Sequence, residues 1–369
     1  MSTRSNTQDF RELFLSDTPL LDVRAPIEFE KGAFPHSCNL PLLDDEQRHE
    51  IGTRYKEQGQ DAAVALGWEL ATEEVQNQRK QVWQQFAKQH PEGFLYCFRG
   101  GLRSRMSQQL IKEAGINYPM VEGGYKAMRR FLIDELELQV AATPFIRISG
   151  RTGIGKTRVL SDIQNAIDLE GLANHRGSAF GGNISPQPTQ IDFENRLSID
   201  LIKQRAAHQS PVFLEDEGRL IGRVYLPEVL LEKMHNSPMV TLETSLEERI
   251  EFALEDYITS ALPLYRQHFG KEEGEIRFSE QILGNLSRIK KRLGAVRYAE
   301  MNGEFSEALT ELFRNDKADG FRKGIEKLLT DYYDPMYDYQ QSQRKGSILF
   351  KGDKDEVVAW ANQQVNKEC

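Results

Sequence analysis

Short apolar segments alternate with longer polar segments of helical spacing over the first 140 residues. Apolar segments bounded by turn-forming residues predict strands at 19–23, 37–43, 93–97 and 118–121. Apolar residues at helical spacing predict helices over 61–90, with a break near Gly67, over 104–114, and from Tyr125 onward. Strands that alternate with helices predict a parallel sheet, and therefore an α/β fold.

The pattern restarts after residues 139–143, where a helical segment ends. A strand at 145–149 is followed by a glycine-rich loop and a helix predicted over 156–167, and further strands are predicted at 211–214 and 238–242. From Ser245 onward the pattern is mainly helical and charged. We therefore predict two domains, residues 1–140 and residues 141–369, the second being α/β with a mainly helical C-terminal part.

The composition is that of a folded protein, since 39% of the 369 residues are hydrophobic and 28% are charged. A net charge of −9 does not favour nucleic-acid binding by the whole chain, but a local basic patch would be sufficient. No uncharged apolar run approaches the roughly 18 residues of a membrane span, and the N-terminus does not resemble a signal peptide. We expect a cytoplasmic protein that does not bind membranes.

The cysteines and histidines indicate neither a disulfide scaffold nor a metal centre. Cys38, Cys97 and Cys369 form no CxxC pair, and the seven histidines form no HxxxH or HExxH motif. Free cysteines fit a reducing compartment. Cys38 lies in an ordinary apolar stretch and Cys369 at the chain end, so only Cys97 is a candidate for chemistry.

Cys97 ends a predicted strand and is followed by a loop rich in glycine and arginine. Gly100 and Gly101 allow the backbone to curl, so that N–H groups point inward and bind an anion. The start of the next helix adds positive charge, as do Arg99 and Arg103. These features stabilise a thiolate and favour a reactive cysteine in a site for an anionic group. The alternative is an inert cysteine buried at a strand end.

This region resembles the rhodanese (sulfurtransferase) domain. The resemblance rests on Leu-Leu-Asp-Val-Arg-Ala-Pro-Ile-Glu-Phe at 20–29, Asn-Leu-Pro at 39–41, Gly100 three residues after Cys97, and Val-Glu-Gly-Gly-Tyr at 121–125. Two positions depart from the family pattern and concern packing: Ala33 and Met128. The resemblance implies a rhodanese-like first domain with Cys97 as its catalytic residue.

The segment from Gly150 to Thr157 fits the pattern GxxxxGK[ST] and lies between a predicted strand and a predicted helix, the context that the motif requires. Its glycines allow the backbone to wrap phosphate oxygens, Lys156 would neutralise the terminal phosphates, and Thr157 would hold Mg²⁺ or a phosphate oxygen. The residues predicted to bind a diphosphate are Gly150, Gly153, Gly155, Lys156 and Thr157. A chance match is the alternative.

Two further segments of the second domain are candidates for the same site. Glu215 and Asp216 follow the strand at 211–214, and either is a candidate for the magnesium-side carboxylate. The loop 174–182 places small residues around a His-Arg pair, and it is either a phosphate or substrate contact or a plain flexible loop. Its candidate contact residues are His175, Arg176 and Ser178.

A basic cluster in the C-terminal part is a candidate RNA contact: Arg288, Lys290, Lys291 and Arg292. Four tyrosines follow at positions 332, 333, 337 and 339. Cations beside aromatic rings hold a phosphate backbone and stack unpaired bases. A solvated helix face with packed tyrosines is the alternative.

Taken together, these motifs resemble the bacterial tRNA 2-selenouridine synthase family over nearly the whole chain. The resemblance is carried by Cys-Phe-Arg-Gly-Gly-Leu-Arg-Ser at 97–104, the phosphate-binding loop, the segment 168–181, and Tyr-Tyr-Asp-Pro-Met-Tyr at 332–337. The family replaces sulfur by selenium at 2-thiouridine in the wobble position of certain tRNAs, using selenophosphate. It also attaches a geranyl group from geranyl diphosphate to that sulfur, as an intermediate.

The resemblance implies a role for each candidate site. The phosphate-binding loop would hold the diphosphate leaving group of geranyl diphosphate, and the Cys97 loop, with Arg99 and Arg103, would bind selenophosphate. The implied partners are a tRNA with wobble 2-thiouridine and an enzyme that produces selenophosphate.

Three other interpretations remain open. A thiosulfate-type sulfurtransferase with an ATP-dependent P-loop domain would form thiocyanate from cyanide. A non-catalytic P-loop switch with a docking domain would not need Cys97. A small-molecule kinase would explain the P-loop but not the first domain.

Overall fold

The computed structural model describes residues 4–208, 210–343 and 346–366. The chain forms two compact units. Unit 1 contains the residues up to Leu138 together with Thr189–Lys203, and unit 2 contains Gln139–Pro188 and the residues from Gln204 onward. The division therefore lies close to the predicted boundary at residue 140. Residues 189–203, however, were predicted in the second domain and belong to unit 1.

Unit 1 is a small parallel sheet surrounded by helices. Its strands are β1 (Leu20–Asp22), β2 (Ser37–Asn39) and β3 (Phe94–Tyr96). Its helices are α1 (Phe10–Leu15), α2 (Pro26–Glu30), α3 (Asp45–Leu70), α4 (Glu73–Gln89), α5 (Leu102–Glu113) and most of α6 (Gly124–Ala142). The first part of a later helix, α9 (Gln190–Ala207), also belongs to this unit.

The sheet of unit 1 has the order β2-β1-β3, and both strand pairs are parallel. The strand predicted at 118–121 contributes only backbone bridges beside β3. The N–H of Leu95 donates to Pro119 O at 3.0 Å, and the N–H of Val121 donates to Leu95 O at 2.8 Å. Strand β3, which Cys97 directly follows, is therefore hydrogen-bonded to β1 on one side and to residues 119–121 on the other.

Helices α3 and α4 differ from the single broken helix predicted over 61–90. Helix α3 begins much earlier because Asp44 caps it, accepting the N–H of Gln47 at 2.8 Å. Gly59, with φ of 86°, interrupts α3, and the break between the helices falls at Ala71 and Thr72 rather than at Gly67. A strong cap thus extends the helical segment over residues that lack apolar periodicity.

Two apolar clusters hold unit 1 together. One lies around β1 and β3 and includes Trp83 and Phe86 of α4. The other packs aromatic rings of the N-terminal segment and α6 against Ile199 and Ile202 of α9. The contribution of α9 to this second cluster explains why residues 189–203 fold with unit 1.

Unit 2 is an α/β sheet followed by a mainly helical part, as predicted. Its strands are β4 (Phe145–Ser149), β5 (Ala166–Ile167), β6 (Val212–Glu215), β7 (Leu220–Ile221), β8 (Val224–Tyr225), β9 (Met239–Leu242) and β10 (Ile348–Gly352). Its helices are α7 (Lys156–Leu160), α8 (Leu169–Leu172), α10 (Glu228–His235), α11 (Leu246–Leu254), α12 (Ala261–Phe269), α13 (Lys271–Arg288), α14 (Lys290–Leu293), α15 (Ala295–Asn315), α16 (Arg322–Leu328), α17 (Asp334–Gln343) and α18 (Lys354–Asn366).

The main sheet of unit 2 has the order β10-β9-β4-β6-β5, and all its pairs are parallel. The predicted helix over 156–167 is wrong in its second half, because α7 ends at Leu160 and residues 166–167 pair with β6. Asn165 fixes this pairing, since its side-chain amide donates to Pro211 O at 2.9 Å. The C-terminal strand β10 was not predicted.

The helical part of unit 2 packs around a large apolar cluster that includes Phe278, Phe305 and Phe321. Two π-helical segments, Glu255–Thr259 and Leu329–Tyr333, connect α11 to α12 and α16 to α17. A π-helical turn widens the helix locally and is frequent at functional sites. In the part of the chain that the structure describes, no helix combines the length and the apolar character needed to cross a membrane.

Candidate functional sites

The predicted phosphate-binding loop connects β4 to α7 at the carboxyl edge of the main sheet, where α/β proteins bind ligands. Gly153 and Gly155 have φ of 76° and 85°, in the left-handed region that favours glycine. A Cβ atom at Gly150 would lie 2.9 Å from the Ile154 side chain. Lys156 is the first residue of α7. The loop therefore has the strand–loop–helix arrangement that the motif requires.

A cavity of about 1150 Å³ opens beside this loop, and we call it the P-loop cavity. Residues of the loop form one wall, and the segment that contains His175 forms another. Tyrosines of the helical part, Tyr257, Tyr333, Tyr337 and Tyr339, also line the cavity. The volume is large enough for a diphosphate that carries an organic group.

Two carboxylates, those of Glu170 and Glu217, line the P-loop cavity near Lys156 and Thr157. Thr157 Oγ1 donates to Glu170 Oε2 at 3.3 Å. Burial raises the pKa of the Glu217 carboxyl to about 7. The charge of Lys156 lowers this pKa, and the nearby Glu170 raises it. Gly177 allows this approach, since its N–H donates to Glu170 Oε1 at 2.6 Å and a Cβ atom there would lie 2.8 Å from Glu217 Oε2.

Of the two predicted magnesium-side carboxylates, Asp216 lines the P-loop cavity and Glu215 does not, and neither contacts Thr157. Glu215 is fully buried, its Oε2 accepts the N–H of Leu169 at 2.8 Å, and burial raises the pKa of its carboxyl well above the ordinary value. Asp216 pairs with Arg147 at 2.8 Å and accepts from Ser149 Oγ at 2.8 Å. The carboxylate in contact with Thr157 is instead Glu170, which the sequence did not indicate.

The loop with the His-Arg pair lies on the P-loop cavity, and its three predicted contact residues line it: His175, Arg176 and Ser178. Arg176 pairs with Asp256 at 2.9 Å, and Ser178 Oγ is 2.8 Å from the hydroxyl of Tyr257. Burial and the charge of Arg288 lower the pKa of His175, so the ring is neutral at pH 7. The loop is therefore packed against the helical part rather than free.

The predicted basic cluster lies at the end of α13 and in α14, and all four of its side chains are exposed. Lys290 lies 4.8 Å from the centre of the Tyr298 ring. Arg292 donates to the hydroxyl of Tyr332 at 3.4 Å. Cationic and aromatic groups therefore come together on one surface, as the RNA hypothesis requires. The other three predicted tyrosines, Tyr333, Tyr337 and Tyr339, line the P-loop cavity instead.

The Cys97 loop in unit 1 packs against the Gly-Gly turn that precedes α6. Cys97 O accepts the N–H of Tyr125 at 2.9 Å. Gly100 and Gly124 have φ of 61° and 57°, and a Cβ atom at Gly100 would lie 2.7 Å from the backbone nitrogen of Gly123. The two motifs that carry the rhodanese resemblance, the cysteine loop and residues 121–125, are thus adjacent in space.

The thiol of Cys97 is buried, with only 3% of the residue exposed, and it packs with the apolar cluster around β1 and β3. The sequence predicted an anion site around this thiol, whereas apolar side chains pack against it because Cys97 directly follows β3. Cys97 nevertheless forms part of the wall of a cavity of about 720 Å³. We call this the cysteine cavity.

The arginines of the loop also line the cysteine cavity, but one of them is already engaged. Arg103 makes two hydrogen bonds to the carboxylate of Glu28, at 2.6 and 3.2 Å. Arg48 lies 3.5 Å from the same carboxylate. The Arg99 guanidinium lies 5.9 Å from the centre of the Phe98 ring. An anion would therefore have to compete with Glu28 for Arg103. Of the other cysteines, Cys38 is exposed and Cys369 lies outside the described residues.

Comparison with known proteins identifies the family. Residues 143–368 match the family model described as the tRNA 2-selenouridine synthase AAA domain. A tRNA 2-selenouridine synthase of Marinobacter nauticus is 50% identical over 99% of this chain and 100% of its own length. Those of Alcanivorax borkumensis and Pseudomonas syringae pv. syringae are 50% and 48% identical over 97% of this chain and 99% and 98% of theirs. The chain belongs to the tRNA 2-selenouridine synthase family.

One solved structure also matches, the N-terminal domain of an ATP/GTP-binding protein candidate from Clostridium difficile 630. It is 33% identical over 31% of this chain and 89% of that chain, with a TM-score of 0.28. This TM-score is too low to support an argument about the fold. The family model, by contrast, covers the whole α/β sheet of unit 2 and its phosphate-binding loop.

A buried ion pair, which sequence reasoning missed, holds the phosphate-binding loop of this family member. Arg249 donates to Thr152 O at 3.1 and 2.9 Å and pairs with Asp334 at 2.6 Å. Arg151 pairs with the same aspartate at 3.2 Å. The signal in the sequence is the position of Asp334 within the Tyr-Tyr-Asp-Pro-Met-Tyr segment at 332–337.

Proposed function

We propose that this protein is a transferase that converts wobble 2-thiouridine of tRNA into 2-selenouridine. The observation that carries the proposal is the match, at about half identity and over nearly the full length, to relatives named tRNA 2-selenouridine synthase. The two cavities described above, one beside a phosphate-binding loop and one beside a cysteine, fit the two kinds of anionic co-substrate that such a conversion needs.

The first step is alkylation of the sulfur by geranyl diphosphate in the P-loop cavity. The thiocarbonyl sulfur forms a bond to C1 of the geranyl group, the C1–O bond breaks, diphosphate leaves, and the N3 proton of the base passes to water. The N–H groups of the loop and Lys156, which line this cavity, would stabilise the charge of the departing diphosphate. Alkylation makes the sulfur a better leaving group for the second step.

Mg²⁺ fits this site as an ion shared with the diphosphate. Among the described residues, no group of three or more His, Cys, Asp or Glu side chains forms a complete metal site. Mg²⁺ is commonly held by one or two protein groups together with substrate phosphates. Thr157 and Glu170, whose oxygens are 3.3 Å apart, would hold it here. When bound, the ion would neutralise charge on the leaving diphosphate.

The second step is replacement of the alkylated sulfur by selenium from selenophosphate at the cysteine cavity. Selenium forms a bond to C2 of the base, the C2–S bond breaks, geranyl thiol leaves, and water cleaves the P–Se bond to release phosphate. We propose that unit 1 is rhodanese-like, that Cys97 acts in this delivery of selenium without a change of oxidation state, and that Arg99, Arg103 and the loop glycines bind the phosphate. The position of Cys97 among the residues that line the cavity supports this assignment. The exposed basic cluster with Tyr332 is the proposed tRNA contact, and an enzyme that makes selenophosphate is the proposed supplier.

The test of the overall function is mass spectrometry of nucleosides from a 2-thiouridine tRNA incubated with the protein. With geranyl diphosphate alone we expect S-geranyl-2-thiouridine, and with selenophosphate added we expect 2-selenouridine. If the tRNA nucleosides remain unchanged and the protein forms thiocyanate from thiosulfate and cyanide, the result would instead favour the sulfurtransferase with an ATP-dependent domain.

Two variants test the division of labour between the cavities. Cys97→Ser should abolish selenium incorporation and leave geranylation intact. Lys156→Ala should impair geranylation first, by roughly 10²-fold or more, because a preorganised group that stabilises leaving-group charge contributes on that scale. Equal loss of both activities in a folded Cys97→Ser protein would refute the assignment, as would unchanged geranylation kinetics of Lys156→Ala.

A further inference from the structure

A second, entirely apolar chamber opens from the P-loop cavity into the helical part of unit 2. Its volume is about 50 Å³. Its inner wall is formed by side chains of the large apolar cluster, including Ala253, Ile282, Phe305 and Phe321. We call it the apolar chamber, and an apolar void of this kind holds hydrocarbon rather than water.

The chamber and the P-loop cavity share part of their lining: Thr152, Gly153, Ser178, Tyr257 and Tyr333. The first two belong to the phosphate-binding loop itself. A ligand with phosphates on that loop can therefore extend directly into the chamber. Such a ligand has an anionic head and an apolar tail.

Both π-helical segments contribute to the chamber. Tyr257 and Ile258 come from Glu255–Thr259, and Leu329 and Tyr333 come from Leu329–Tyr333. The hydroxyl of Tyr257 hydrogen-bonds to Ser178 Oγ at 2.8 Å, and the hydroxyl of Tyr333 accepts the N–H of Ala179 at 3.2 Å. These contacts hold the two rings in the lining that the chamber shares with the P-loop cavity. Burial raises the pKa of Tyr257 to about 12 and that of Tyr333 further, so both remain neutral.

We infer that the apolar chamber binds the distal isoprene unit of an allylic diphosphate and thereby selects the length of the transferred chain. The inference rests on the proposed function and deepens it, since it assigns the residues that recognise the hydrocarbon. A volume of about 50 Å³ takes the end of the chain, while the first isoprene unit stays in the P-loop cavity near the loop. The base and ribose of a nucleotide need polar partners, which this chamber does not offer.

A narrowed chamber tests the inference. Ala253→Leu adds three carbons to the chamber wall, and Ala308→Leu adds the same three to the same apolar cluster outside the chamber lining. We expect Ala253→Leu to lower kcat/KM for geranyl diphosphate at least tenfold relative to dimethylallyl diphosphate, since burial of each methylene-sized group is worth roughly fourfold. Ala308→Leu should leave that ratio unchanged.

A second experiment widens the chamber, and it tests the inference even if Ala253→Leu does not fold. Phe305→Leu removes part of the inner wall, and Phe278→Leu makes the same change in the cluster outside the lining. We expect Phe305→Leu to raise the ratio of farnesyl to geranyl transfer at least tenfold, and Phe278→Leu to leave it near the wild-type value. The products are S-prenyl-2-thiouridines, counted by mass spectrometry in a competition of all three diphosphates.

The outcomes separate the inference from the proposed function. Suppose that the wild type transfers geranyl groups, but both chamber variants change the transfer of all chain lengths by the same factor or behave like their controls. The chamber inference is then wrong and the proposed function stands. If the wild type transfers no prenyl group, the proposed geranylation and the inference both fail. Inhibition by inorganic diphosphate should be the same in all variants, because the phosphate-binding loop is not altered.

Discussion

At the scale of single residues, one carboxylate, that of Glu28, offsets part of the positive charge around Cys97. Glu28 accepts two hydrogen bonds from Arg103 and lies near Arg48. Burial raises the pKa of Glu28, but the hydrogen bonds and charge of Arg103 lower it more, so the net pKa is below the ordinary value. Glu28 is thus charged at pH 7, and it competes with any anion that enters the cysteine cavity.

Glu28→Gln should therefore strengthen anion binding in the cysteine cavity. Removal of the negative charge leaves Arg103 available, and we expect inorganic phosphate to protect Cys97 from iodoacetamide at a several-fold lower concentration. Glu30→Gln, an exposed position on the same helix, is the control for the loss of charge. Equal protection in wild type and Glu28→Gln would contradict this account of Arg103.

The same pair makes stability depend on pH with a defined sign. Because the pKa of Glu28 is lowered on folding, its contribution is present above the unfolded pKa of about 4.5 and is lost as the pH falls through the folded pKa. The difference in unfolding free energy between wild type and Glu28→Gln should therefore shrink in acid, which urea unfolding at pH 7 and pH 4 measures.

At the scale of elements, the turn before α6 determines the shape of the Cys97 loop. Gly124 has φ of 57°, and a Cβ atom there would overlap Cys97 O and lie 2.6 Å from the backbone nitrogen of Gly100. Two loops distant in sequence thus share one space, and only glycine allows both backbones to occupy it.

Gly124→Ala should consequently reduce selenium incorporation at least tenfold, while geranylation, which we propose for unit 2, persists. Gly115→Ala is the matched control, because Gly115 also has a positive φ, of 86°, but no atom lies within 4 Å of an added Cβ. The control should lose only the roughly 1 kcal/mol expected for a left-handed alanine. Selenium incorporation by Gly124→Ala equal to that of the control would show that the close approach is unimportant.

At the scale of the whole molecule, the chain does not divide into two continuous segments. Unit 1 needs residues 189–203, which lie well beyond its main part, because Ile199 and Ile202 complete one of its apolar clusters. A fragment of residues 1–140 therefore lacks part of its core.

Ile202→Ala in the full chain should destabilise unit 1 by about 2–5 kcal/mol, the range for truncation of a fully buried isoleucine. Arg196→Ala, an exposed position of the same helix, should have little effect. Thermal unfolding followed by the fluorescence of Trp83, the other tryptophans being replaced by phenylalanine, reports on unit 1. An unchanged melting temperature in Ile202→Ala would contradict the assignment of 189–203 to unit 1.

The sequence alone was sufficient for the parts of the protein that depend on local chemistry. The α/β class, the strand at 145–149 and the phosphate-binding loop are encoded in short contiguous segments, whose hydrophobic pattern and glycine positions restrict the backbone directly. The family resemblance, carried by such segments, was confirmed by the comparisons.

Tertiary structure decided which distant groups meet, because contact between them depends on packing and not on spacing along the chain. It placed Glu170 rather than Glu215 against Thr157, joined Arg249 and Asp334 behind Thr152, and buried the thiol of Cys97. The apolar chamber is of the same kind, since its walls come from helices far apart in sequence and its connection to the phosphate-binding loop exists only once they have packed.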